Sequence, residues 1–146
     1  MSSFNPFTSD AEVIAIGTGL VDRTLPKSNW SHAAHFAATV WLLRCHPEMD
    51  ASLAIPKLIR AYNEATGVAN TDSSGYHETI THASIRATRA FLADRPQMCL
   101  YELCNELMRA SLGDREWLLK FWSRSRLFSR EARNTWIEPD LEALPF

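Results

Sequence analysis

Apolar positions along the chain recur at three- and four-residue spacing, and alternating runs are almost absent, so the pattern reads as helices. Ser9 with Glu12 forms a capping box before Val13, Ile16 and Leu20, which predicts a helix over 9–22. Gly17 and Gly19 weaken that helix by about 1 kcal/mol each relative to Ala. They mark either a close helix crossing or an earlier end. Leu25-Pro26-Lys27-Ser28 is a linker, because Pro26 pushes Leu25 out of helical backbone angles.

A second helix is predicted from Ser28 or Asn29 to Cys45. Trp30, Ala33, Ala34, Ala37, Val40 and Trp41 lie on one side, with Phe36 and Leu43 on the other. Apolar residues all round place it in the middle of a bundle. Asp50 caps a third helix that runs to Thr66, with Gly67 at its C-terminal stop. Pro56 either kinks this helix or lies near its start. A polar loop, 68–75, leads to a fourth helix over Tyr76–Ala93. Pro96 suits the first turn of a fifth, 96–112, with Gly113 as its stop. Asp114 caps a short sixth helix carrying Trp117, Leu118, Phe121 and Trp122, Ser129 caps a last turn or two, and 137–146 is an extended tail. The expected architecture is all-α: one domain over 1–146, a helix bundle with a four-helix core and short extra helices.

Composition narrows the class further. Of 146 residues, 46% are apolar and 22% charged, with 15 Lys plus Arg against 17 Asp plus Glu. That balance carries no electrostatic footprint for nucleic acid or for an anionic membrane. The three cysteines, Cys45, Cys99 and Cys104, show no CxxC spacing and read as small buried hydrophobes in a reducing compartment. No apolar run is long enough for a membrane span, and Met1–Asp10 lacks the basic and apolar regions of a secretory signal. A cytoplasmic protein is expected.

The histidines carry the chemistry. His32 and His35 are three apart, so on a helix their rings share a face. Two imidazoles on a buried face need partners: either backbone and carboxylate groups across the bundle, or one divalent metal that satisfies both. His77, in the first turn of the fourth helix, is kept neutral by the helix dipole and is then a third ligand or a first-turn residue capped by the loop. His32, His35 and His77 together would hold Zn²⁺ or another divalent first-row ion with one position open. Glu78 would then act on the bound water as catalytic base, or it caps the helix. His82, four after Glu78, pairs with it or replaces a ligand, and His46 sits at a helix end before Pro47, complementing the carbonyl dipole. Trp30, Asn63 and Tyr76 are candidates for the wall of a substrate site, with Glu64 beside Asn63. Arg124 and Arg126 offer guanidinium groups to a carboxylate or phosphate. There is no GxGxxG, P-loop, GxSxG or HExxH, and Glu-x-x-His spacings are too few for a di-iron centre.

Three blocks carry a resemblance: Trp30-Ser-His32-Ala-Ala-His35 with Tyr62-Asn63-Glu64; Asn70-Thr71-Asp72-Ser-Ser-Gly75-Tyr76-His77-Glu78-Thr79; and Ser123-Arg124-Ser-Arg126-Leu127-Phe128-Ser129 through Trp136-Ile-Glu-Pro139-Asp140-Leu141. They resemble an uncharacterised family of small bacterial all-helical proteins, which implies a shared design and no activity. His82 falls outside the pattern. A looser similarity is to helical metal-binding bundles of the DinB and YfiT type, whose histidine spacing differs. Three functions follow. One is a metal-dependent hydrolase or group transferase acting on a small molecule. The second is a metal-free protein that binds such a molecule, with or without His77 as a base. The third is a structural helical module, for instance a homodimer.

Overall fold

The computed structural model describes residues 4–146; the first three residues of the Met1–Asp10 stretch lie outside the described residues. Seven α-helices follow in order: α1 Asp10–Asp22, α2 His32–Cys45, α3 Ala51–Ala65, α4 Glu78–Ala93, α5 Leu100–Arg109, α6 Arg124–Leu127 and α7 Arg130–Asn134. Short 3-10 turns fill Lys27–Asn29, Ser111–Gly113 and Trp117–Lys120. Among the described residues there is no strand.

α2 is the axis of the bundle and packs on α1, α3, α4 and α5. Ala34, Phe36, Ala37, Ala38, Val40, Trp41 and Leu42 are all buried along it. A helix apolar on every side can be satisfied only in that central place. The crossing of α1 over α2 depends on Gly17, where a Cβ would come 2.2 Å from the Trp41 ring. The close-crossing reading of the glycine pair therefore holds at Gly17, and α1 runs its full expected length.

Caps account for most helix starts. Ser9 accepts the Glu12 N–H, and Glu12 reaches back to the Thr8 N–H and hydroxyl. Asp50 accepts the Ser52 N–H at 2.9 Å, so α3 begins at Ala51 and Pro56 lies inside it. Gly67, at φ 85, ends that helix with a backbone conformation that disfavours a side chain. Ser129 accepts the Ala132 N–H at the start of α7.

Three boundaries depart from the sequence pattern. α2 starts at His32 because Ser31 is its N-cap, accepting the Ala34 N–H at 3.1 Å. Trp30 therefore precedes the helix and does not share a stripe with Trp41. The polar loop extends through Tyr76, so that His77 is the N-cap of α4. α5 begins at Leu100, not near Pro96, and its cap comes from another helix: Asp10 Oδ1 accepts the Tyr101 N–H at 2.9 Å. The region after Gly113 is three short pieces, and the final residues dock as an extended strap. Trp122 Nε1 donates to Ile137 O, the Leu141 N–H donates to Phe121 O, and Arg86 reaches the main-chain oxygen of Phe146. The short pieces, through Trp117, Leu118 and Leu127, line a cavity shared with His32 and His35.

Candidate functional site

His32 and His35 stand on the first turns of α2, and each has one ring nitrogen tied to a backbone carbonyl. His32 Nε2 donates to Leu112 O at 2.8 Å, and His35 Nδ1 donates to Ser31 O at 2.7 Å. A carbonyl only accepts, so each bond fixes the tautomer and leaves an unprotonated nitrogen, Nδ1 of His32 and Nε2 of His35. Neither of those nitrogens has a partner among the described residues. Trp30 stacks on His35 with ring centroids 3.8 Å apart, and Phe36 meets the His32 ring edge-on. Those contacts hold both rings in place.

Both imidazoles are kept neutral. Loss of solvation pulls His32 below its ordinary value, helped by the Arg115 charge and opposed by the Leu112 bond and Asp114. His35 is exposed in the wall of a recess. Loss of solvation there lowers it to about 4, against the pull of the Ser31 bond.

The recess is a cavity of about 270 Å³ between α2, α4 and the segment 115–128. His32, His35 and Phe36 form one wall, Ile80 and Ser84 of α4 another, and Trp117, Leu118 and Leu127 close it. Arg115 and Arg124 supply its cationic side chains. Arg124 is shared with Glu116, 3.4 Å away, whereas Arg115 has no hydrogen bond or ion pair among the described residues. His32 and Arg115 also line a second cavity of about 380 Å³, bounded by Phe4, Phe7 and Met108. Its outer wall, the segment before α1, is held by Asn105, which both accepts from Phe7 N and donates to Phe7 O.

The three-histidine metal centre is not assembled. His77 Nδ1 accepts the Ile80 N–H at 3.1 Å while Nε2 donates to Leu127 O at 2.8 Å, so neither nitrogen is left for a metal or a proton. Loss of solvation, helped by Arg133, keeps it below its ordinary value. Nor is it a first-turn residue capped by the loop: it is itself the N-cap of α4 and ties α4 to the end of α6. Among the described residues no three His, Cys, Asp or Glu side chains come together as a metal site.

The other candidates divide similarly. Glu78 does not face His32 and His35; its Oε1 accepts the Tyr76 hydroxyl at 2.6 Å and lies 3.3 Å from His82 Nε2. Tyr76 is buried under Arg60, and burial followed by the Glu78 bond raises its phenol. Asn63 is spent on the loop, donating to Asn70 Oδ1, which also accepts the Tyr76 N–H. Glu64 is exposed, and His46 pairs with Glu48. Arg126 donates to Glu138 O and pins the C-terminal strap. Arg124 alone of the two arginines lines the cavity, and Trp30 acts on it through His35.

Arg115 and Ser84 were not among the candidates. Arg115 sits between Asp114 and Glu116, a run that reads as the charged start of a short helix, and only the fold sets it beside His32. Compared with known protein families, with curated proteins and with solved structures, the chain matches none. No helix among the described residues is long and apolar enough to cross a membrane. What fold and site define is a class: an all-α bundle with a histidine-walled cleft that Arg115, Glu116 and Arg124 also line.

Proposed function

We propose that this protein binds a small organic anion in the cleft of His32 and His35, without a metal. The observation that supports this reading is the pair of carbonyl-locked imidazoles, each with one unpartnered nitrogen, beside an unpaired Arg115. Neutral imidazole nitrogens accept hydrogen bonds from hydroxyl or amine groups, and a guanidinium matches a carboxylate or phosphate. Phe36, Ile80, Trp117 and Leu127 surround the apolar part of such a molecule. A pocket mostly apolar with a few convergent polar groups is what small-molecule sites share. His35 is also in the protonation state a general base requires, so a proton transfer to its Nε2 is open to a substrate that reaches it.

Calorimetry with benzoate, hexanoate and phenyl phosphate, against benzyl alcohol, tests the reading. The anions are expected to bind and the alcohol not to bind. Arg115→Gln and His35→Ala should each weaken binding about tenfold or more, with no effect of EDTA. Binding of none of the anions, or binding that requires added Zn²⁺, would overturn it.

A further inference from the structure

The cavity has a smaller neighbour. Four of its lining residues, His35, Phe36, Ile80 and Ser84, also line an adjoining recess of about 50 Å³, which Ile55 and Ile59 of α3 complete. Three hydroxyl residues also line it, and two of them turn their polarity back to their own helix. Thr39 Oγ1 donates to His35 O at 3.0 Å and Ser84 Oγ donates to Ile80 O at 2.8 Å, each within its own helix. Thr81 is the third hydroxyl residue of the lining. The adjoining recess therefore offers mainly hydrocarbon surface to whatever enters it, and an apolar space of that kind favours an apolar occupant over water.

The larger cavity, with Arg115 and Arg124, thus adjoins a smaller and mainly hydrocarbon recess between α2, α3 and α4. We infer that the ligand is an amphiphile with an unbranched alkyl chain, its anionic head beside Arg115 and Arg124 and its chain tip between Ile55 and Ile59. At about 50 Å³ the recess has room for a few methylenes and less than an aromatic ring needs. This assignment rests on the anion-binding reading above and specifies the ligand's shape.

Straight-chain carboxylates from propionate to decanoate, titrated into the full chain by calorimetry, test it, with benzoate as reference. Affinity should rise about fourfold for each added methylene until the smaller recess is full, and then level off. Ile59→Ala should move that plateau to longer chains, and Ile59→Phe to shorter ones. Circular dichroism confirms that each variant is folded. Opposite displacements of the plateau cannot come from general destabilisation. Benzoate binding with carboxylate affinity independent of chain length, or an unmoved plateau in both folded Ile59 variants, would overturn the alkyl assignment alone. Failure of benzoate and of every carboxylate would remove the anion site itself.

Discussion

The imidazole of His77 donates to the carbonyl of Leu127 across 2.8 Å, joining the N-terminus of α4 to the end of α6 fifty positions later in the chain. The same ring caps α4 through Nδ1, so one side chain satisfies a helix donor and a distant acceptor together. His77→Ala removes both bonds from a buried place and should cost about 2–4 kcal/mol. His77→Asn keeps an N-cap and should recover about 1 kcal/mol of that. Urea midpoints of the two variants measure the difference. Equal midpoints for wild type and His77→Ala would show that the ring is not a structural tie.

Acid should loosen the fold before its carboxylates titrate. His32, His35 and His77 all lie below the ordinary imidazole value in the folded chain, His35 at about 4, whereas unfolded imidazoles titrate near 6.5. Between those values the unfolded chain binds more protons, so stability rises with pH through that window. It is complete above about pH 6.5 and is lost progressively as pH falls toward 4. The urea midpoint should be lower at pH 5 than at pH 7.5 and nearly flat from 7 to 8. His35→Asn should flatten the slope.

Gly17→Ala tests the α1–α2 crossing. The new methyl meets the Trp41 ring, and a buried indole has little room to yield. The cost should be about 1–3 kcal/mol, although alanine is the better helix former. Thermal unfolding of Gly17→Ala beside Gly67→Ala separates packing from backbone. At Gly67 a Cβ meets nothing, and only the positive φ opposes it.

The first turn of α5 takes its cap from Asp10 on α1. Asp10→Ala should destabilise the chain by about 1 kcal/mol, and Asp10→Asn by less, because the amide oxygen still accepts from Tyr101. Amide exchange at Tyr101 reads the bond directly. Unchanged protection there in Asp10→Ala would refute the cap.

Local chemistry decided what the chain showed by itself. Ser9, Asp50 and Ser129 bond within three residues of themselves, and Gly67 needs only its own backbone angle, so helix starts and stops were legible. The central place of α2 was legible too, since a helix apolar all round has one solution. The start of α5 was not legible because its cap, Asp10, lies 91 positions away; the starts of α2 and α4 rest on local caps, Ser31 and His77, that the apolar pattern did not single out.

The candidate site divides along the same line. Spacing alone puts His32 and His35 on one face, and i,i+4 spacing pairs Glu78 with His82. Whether an imidazole nitrogen is left over for a ligand is a matter of which carbonyl stands opposite it. Leu112 and Leu127 took one nitrogen each from His32 and His77, at separations of 80 and 50 positions. The backbone of Ile80 took the second nitrogen of His77 and ended the expected convergence on a metal. Helical periodicity is a property of neighbours in sequence. Hydrogen-bond satisfaction in a packed interior belongs to neighbours in space, and packing alone placed Arg115 beside His32.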